Sequence, residues 1–203
     1  MINMRSLTAH DLDHRGGSLL LWLRFALFFS FICGLSYPVV TTLAGGALFP
    51  AQANGSLIVR EGRVVGSALV GQPFSGARYF IPRPSAAGEG YDPMSAAGSN
   101  YAVSNPDLRA RAQATSSLVT DREGVAAAQI PVDLIAASGS GMDPHISPEA
   151  AQLQLPRVAN ARGLPETRVA ELIRENTMQS PLGLGQPGVN VLELNLSLDA
   201  QTP

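Results

Sequence analysis

The run FALFFSFICGLSYPVVTTLAGGALF, Phe25 to Phe49, contains no charged residue and restricts this chain more than any other feature. As a helix, 25 residues extend roughly 37 Å, enough to cross a ~30 Å hydrocarbon core with some tilt. Trp22 and Arg24 stand at its entrance, where an indole and a snorkelling guanidinium suit the headgroup layer. Inside it, Pro38 and the pair Gly45-Gly46 weaken the helix and predict a partner helix, because neighbouring helices satisfy backbone groups that such residues free. A secretory signal with Ala51-Gln52-Ala53 as cleavage site is the rival reading. It fits less well, since signal cores run only about 7–15 apolar residues. Cys33 is the only cysteine, so no disulfide forms within the chain.

The expected organisation is a tail over residues 1–21, a membrane helix over 22–49 with its core at about 25–47, and a folded domain over 50–203. Arg5, Arg15 and Arg24 precede the run, whereas Arg60 and Arg63 are the first basic residues after it. That bias predicts a cytoplasmic N-terminus and an outward-facing, periplasmic domain. From Asn54 onward eleven arginines face fourteen acids, and the whole chain carries a net charge of −2. Nothing here makes the basic footprint of a nucleic-acid binder.

The fold class expected for the domain is α+β, a compact mixture of short strands and helices. Two apolar runs around Glu61-Gly62 predict a hairpin within Gly55 to Gly71. Pro73 to Asp107 is dense in turn residues yet keeps five aromatics, which predicts a packed loop. A helix is expected from Asp107 to about Leu118. The run AQIPVDLIAA, Ala128 to Ala137, reads as a buried strand. Ser147-Pro148-Glu149 signals a helix start, which Pro156 should split or kink, and Gly163 should stop. Pro165 opens another helix with Val169, Leu172 and Ile173 on one face. In VNVLELNLSL the leucines at 192, 194, 196 and 198 alternate with polar residues, predicting a strand.

The stretch ASGSGMDPHISPEAA, Ala137 to Ala151, is the candidate for chemistry. With no lysine in the chain, phosphate-loop, Ser–Lys and Schiff-base chemistries are excluded. Apart from His10 and His14 in the tail, His145 is the only histidine. With Asp143 it supplies two metal ligands where zinc needs three or four, so no metal is expected. The hydrolase reading uses His145 with Asp143 or Ser140, but SGSG lacks the nucleophile turn G-x-S-x-G. Nor does GSGMD complete a dinucleotide fingerprint. Ser138, Gly139, Gly141, Asp143 and His145 are therefore expected to form a structural loop, and the chain to catalyse nothing alone. A free-standing membrane anchor is a third reading.

Eight segments in succession carry a resemblance: GLSYP, FPAQANGSLI, GSALVGQPF, YFIPRPSAA, AGSN, VDLIAASGSGMDPHISPEAA, QLPRVANARGL and NVLELNLSLD. Together they resemble the KdpC family, the C subunit of the Kdp potassium-transporting ATPase, over about Leu23 to Asp199. The chain departs from that family in its longer N-terminal tail and in AAGSN, where two glycines usually precede Ser-Asn. The resemblance implies a bacterial inner-membrane complex that imports potassium with ATP. Its implied partners are channel-like KdpA, the P-type ATPase KdpB, the small KdpF and the lipid bilayer. It further implies a role in assembly and as a catalytic chaperone that raises the ATP affinity of KdpB, with Gln154 as a nucleotide contact. No tightly bound cofactor is implied, and ATP enters through the family description alone. The topology reading opposes the nucleotide role, since an outward-facing domain meets no ATP. On the span, Phe25, Pro38 and Gly45 mark the surface expected to meet lipid and partner helices.

Overall fold

The computed structural model describes residues 19–178 and 184–201. The chain divides into two compact units between Asn54 and Gly55. Residues 1–18, with His10, His14, Arg5 and Arg15, lie outside the described residues, as does most of the tail expected over 1–21.

The first unit is one long helix, α1 (Leu19–Leu48), followed by the single turn α2 (Pro50–Ala53). At 30 residues, α1 is about 45 Å long and exceeds what a bilayer crossing needs. Apart from Arg24 it carries no charge, and none of its side chains is buried within the chain. Pro38 breaks the regularity where physics requires it. The proline has no N–H to give and its ring crowds the preceding turn, and that turn, Ile32–Ser36, is wound as a π-helix. The N–H of Tyr37 reaches back to the carbonyl of Ile32 rather than Cys33. Thr41 Oγ1 then donates to the carbonyls of Tyr37 at 2.8 Å and Pro38 at 3.1 Å, keeping its hydroxyl satisfied within the helix.

The second unit is the α+β domain. It opens on the expected hairpin, β1 (Leu57–Arg60) against β2 (Arg63–Ser67), antiparallel. Glu61 and Gly62 both take positive φ, 50° and 76°, as a two-residue type I′ turn demands. The segment from Pro73 to Asp107 is irregular but anchored, with Phe80 and Ala87 fully buried. Helix α3 (Pro106–Glu123) begins at Asn105, whose side chain accepts from Asp107 N, and ends at Gly124 in the left-handed region. It runs a turn further than the sequence suggested.

Two expectations fail here. The run Ala128 to Ala137 is no strand but two 3₁₀ turns, Ala127–Gln129 and Val132–Leu134. Its N–H groups bond locally, Leu134 to Pro131 O and Ala136 to Val132 O, while Val132 points outward at 75% exposure. The period-two leucines near the end form a helix, α6 (Val191–Asp199). Val191, Leu194, Asn195 and Leu198 make its buried stripe, and Leu196 is only half-buried. Asn190 accepts from Glu193 N and starts the helix. That Asn-x-x-Glu spacing is a helix-start signal which the leucine alternation masked.

Ser147 accepts from Ala150 N at 3.0 Å and opens α4 (Pro148–Arg162), which Gly163 ends with φ 64°. Pro156 neither splits nor stops it. The carbonyl it leaves without a donor belongs to Gln152, and both residues lie on the exposed side of the helix, where solvent rather than the core is the neighbour. Helix α5 (Glu166–Glu175) buries Val169, Leu172 and Ile173 as expected. Strands β3 (His145–Ile146), β4 (Thr177–Met178) and β5 (Gly188–Asn190) form a small antiparallel sheet in the order β3-β5-β4. The core is built where α4, α5, α6 and β5 meet around Phe80, Val158, Val169, Val189 and Leu194.

Candidate functional site

The loop from Ser138 to Ser147 touches several separate parts of the domain. Ser138 is buried, and its N–H donates to Pro84 O. Gly141 takes φ 74°, and a Cβ there would lie 2.5 Å from Ala97 O, so only glycine fits. Its carbonyl accepts from Ser85 Oγ at 2.6 Å. Gly139 lies in open space, but its carbonyl is so near Gly98 that a Cβ on Gly98 would stand 2.6 Å away. Further along, Gly71 N donates to Met142 O, and Val191 N to Pro144 O. The glycines thus let two backbone segments approach the loop closely.

Asp143 stands at the centre of the polar end of this loop. Its Oδ1 accepts from His145 N at 3.0 Å and faces His145 Nδ1 at 3.3 Å, while Oδ2 pairs with Arg83 Nη1 at 3.1 Å. Partial burial pushes the carboxyl up, but the His145 hydrogen bonds and the Arg83 and His145 charges outweigh it, so its pKa falls below the ordinary 3.8. A carboxyl depressed in this way binds fewer protons folded than unfolded. Its contribution to stability is present above the ordinary value and is lost as pH falls through the folded one. Asp143→Asn is therefore expected to lower stability at neutral pH, by an amount that shrinks as pH falls below the ordinary carboxylate value. Denaturant unfolding across that range measures it. A pH-independent difference would contradict the assignment.

Asp133 supports the other end of the loop, accepting from Ser147 N at 2.7 Å and Ser147 Oγ at 3.1 Å. Burial pushes the Tyr91 hydroxyl up to about 12, so it stays a donor, and it donates to the Arg83 carbonyl. Together Arg83, Asp133, Asp143 and His145 line an open groove of about 570 Å³ with Val132 and Met178.

Nothing here supports the hydrolase reading: His145 Nε2 is buried and, among the described residues, has no hydrogen-bond partner to activate. Ser140 Oγ instead accepts from Met142 N in a local turn. Among the described residues no three His, Cys, Asp or Glu side chains converge on a metal position.

Gln154 lies elsewhere, fully buried on α4. Its Oε1 accepts from Ile81 N at 2.8 Å and its Nε2 donates to Ile81 O at 3.0 Å. Asn195 on α6 does the same to the preceding residue: Oδ1 accepts from Phe80 N at 2.9 Å, and Nδ2 donates to Phe80 O at 3.0 Å. Arg157 donates to the carbonyls of Ala77 and Tyr79, and Arg162 to that of Arg78. Arg162 also stacks over the Tyr79 ring at 5.1 Å. Five consecutive residues, Ala77 to Ile81, are therefore held by side chains of two helices in place of a neighbouring strand. Buried backbone groups must find partners, and here side-chain amides and guanidinia supply them. Of this clamp sequence reasoning singled out Gln154 alone. Arg157, Arg162 and Asn195 gave no local signal, although a polar residue amid the apolar stripe of α6 was one available hint.

One apolar helix long enough to cross a membrane, joined to an α+β domain, fits the class of single-pass membrane proteins. The chain belongs to the KdpC family: the family model described as K+-transporting ATPase, c chain, matches residues 19–200. The chain is 55% identical over 195 residues to the potassium-transporting ATPase KdpC subunit of Xanthomonas oryzae pv. oryzae, covering 96% of this chain and 90% of that protein. It is 53% identical over 178 residues to the same-named subunit of Shewanella putrefaciens, covering 87% and 88%. With that of Gemmatimonas aurantiaca it shares 54% over 172 residues, covering 83% and 85%.

Proposed function

We propose that this chain is a non-catalytic subunit of an ATP-driven potassium-import complex, anchored in the inner membrane by α1 with its domain on the periplasmic side. There the domain is seated on the outer face of a channel-like subunit and stabilises the assembly, while α1 packs against that subunit's helices. The relatives named as KdpC subunits of a potassium-transporting ATPase support the complex. For the division of labour the observation that carries the reading is Gln154. It is fully buried, with both amide atoms bonded to Ile81, so no part of it faces a nucleotide. Any rise in the ATP affinity of a P-type ATPase subunit is then an effect of assembly, not of a ligand held at Gln154.

The test is to isolate the full chain from its native membrane in mild detergent. A large P-type ATPase is expected to come with it, and recovery of the chain alone would leave only an anchor. Orientation is tested by a cysteine placed at Gln201, an exposed position, with Cys33 replaced by serine. An impermeant thiol reagent is expected to label it on intact cells. Labelling only after lysis would put the domain with ATP and overturn the proposal.

A further inference from the structure

Helix α1 holds one backbone group that its own winding does not serve. In a regular helix the Cys33 carbonyl takes its hydrogen bond from the N–H of residue 37, but Tyr37 gives that N–H to Ile32. Through the π-wound turn Ile32–Ser36 each amide reaches five residues back instead of four, which directs Ser36 N to Phe31. The next donor in line for Cys33 is then residue 38, and Pro38 has no N–H.

Side chains of α1 do not replace the missing donor. Among the described residues the Ser36 hydroxyl makes no hydrogen bond, and that of Thr41 is given to the carbonyls of Tyr37 and Pro38. Gly34 adds no side chain to screen the stretch, and outside the helix's own backbone nothing in the chain lies within 4 Å of where its Cβ would stand. The backbone at Cys33 and Gly34 is therefore bare.

Depth decides what can answer this carbonyl. Cys33 lies near the midpoint of α1, so across a bilayer it sits in hydrocarbon, where neither water nor an acyl chain supplies a donor. An ammonium or guanidinium carries a heavy desolvation cost at that depth. Hydroxyl and carboxamide side chains on a neighbouring helix do not, and helices in membranes use them in this way. We infer, on the reading that α1 packs against helices of the complex, that the Cys33 carbonyl accepts a hydrogen bond from a Ser, Thr, Asn or Gln side chain of another subunit. The π-wound turn marks where that subunit's helix crosses α1, with Gly34 allowing the close approach.

Cys33 is the only cysteine, so synthesis with cysteine bearing carbon-13 at its carbonyl labels a single backbone group, which isotope-edited infrared spectroscopy reads alone. The full labelled chain is measured at one copy per nanodisc and again after assembly with unlabelled partner subunits. In the single chain the label is expected to absorb at the high wavenumber of an unbonded amide, and in the complex to shift lower. Pro38→Ala restores the N–H and supplies the bonded reference, absorbing low in the single chain. A low wavenumber in the unsubstituted single chain overturns the inference, because the bond is then made within α1. So does a shift that two copies in one disc produce without partners, which makes the contact one between copies. A high wavenumber kept in a complex that does form overturns the inference and leaves the proposed assembly standing. If no complex forms, that proposal fails and this contact with it.

Discussion

Arg157→Met is expected to destabilise the domain by up to about 3–5 kcal/mol, the upper figure being that of a buried carboxylate left wholly without a partner. The Glu123 side chain is fully buried, and Arg157 Nε meets its two oxygens at 3.1 and 2.9 Å. Without Arg157 that carboxylate keeps only Arg122, whose Nε lies at 2.6 Å. The same guanidinium serves Ala77 O, Tyr79 O and Gln154 Oε1, so the substitution also opens one side of the clamp. Arg157→Lys should recover only part of the loss, because an ammonium cannot spread donors across a planar fork. Chemical unfolding of the purified chain in mild detergent measures both. A loss for Arg157→Met below about 1 kcal/mol, the level of an exposed pair, would show that the network contributes little.

Asn195→Ala is the second large effect, about 2–5 kcal/mol, because it leaves a buried N–H and a buried C=O without partners. Both groups belong to Phe80, a residue with no exposed surface. Gln154→Ala should act similarly on Ile81. Since the two amides hold adjacent residues of one segment, the double variant should depart from additivity by about 0.5–3 kcal/mol. The pair also bears on nucleotide handling. If Gln154 served ATP, Gln154→Ala would change the nucleotide dependence of the assembled complex while Asn195→Ala would not. Both are expected instead to reduce assembled complex in step with lost stability, with the ATP dependence of what remains unchanged.

Legibility in the sequence followed the range of the interactions. The hairpin announced itself through Glu61-Gly62, and α4 through Ser147-Pro148-Glu149, because turns and caps are decided within three or four residues. Helix α6 was misread for a related reason. Its leucines at 192, 194, 196 and 198 imitate strand alternation, and the local cap at Asn190 with Glu193 was the stronger signal. The run around Pro131 reads as a strand because it is a short apolar stretch ahead of Gly139, but tight turns bury Ile130 and Leu134 equally well. In the loop, the glycines indicated unusual backbone. They could not reveal that Gly98 and Gly141 exist for close approach to segments far away in sequence. The clamp was illegible altogether, since an asparagine or arginine in a helix does not disclose which distant backbone it will meet.

The bonds from Asn195 to Phe80 join positions 115 residues apart, and those from Gln154 to Ile81 join positions 73 apart. Such distant closures carry a large entropic cost before they return any free energy, and they slow folding. Four of the five residues of the central segment can pair as soon as α4 is made, but Phe80 waits for Asn195, so the clamp closes only once α6 has been synthesised. An arrested chain ending before residue 190 should leave this segment more open to proteases at Phe80 than the complete chain does.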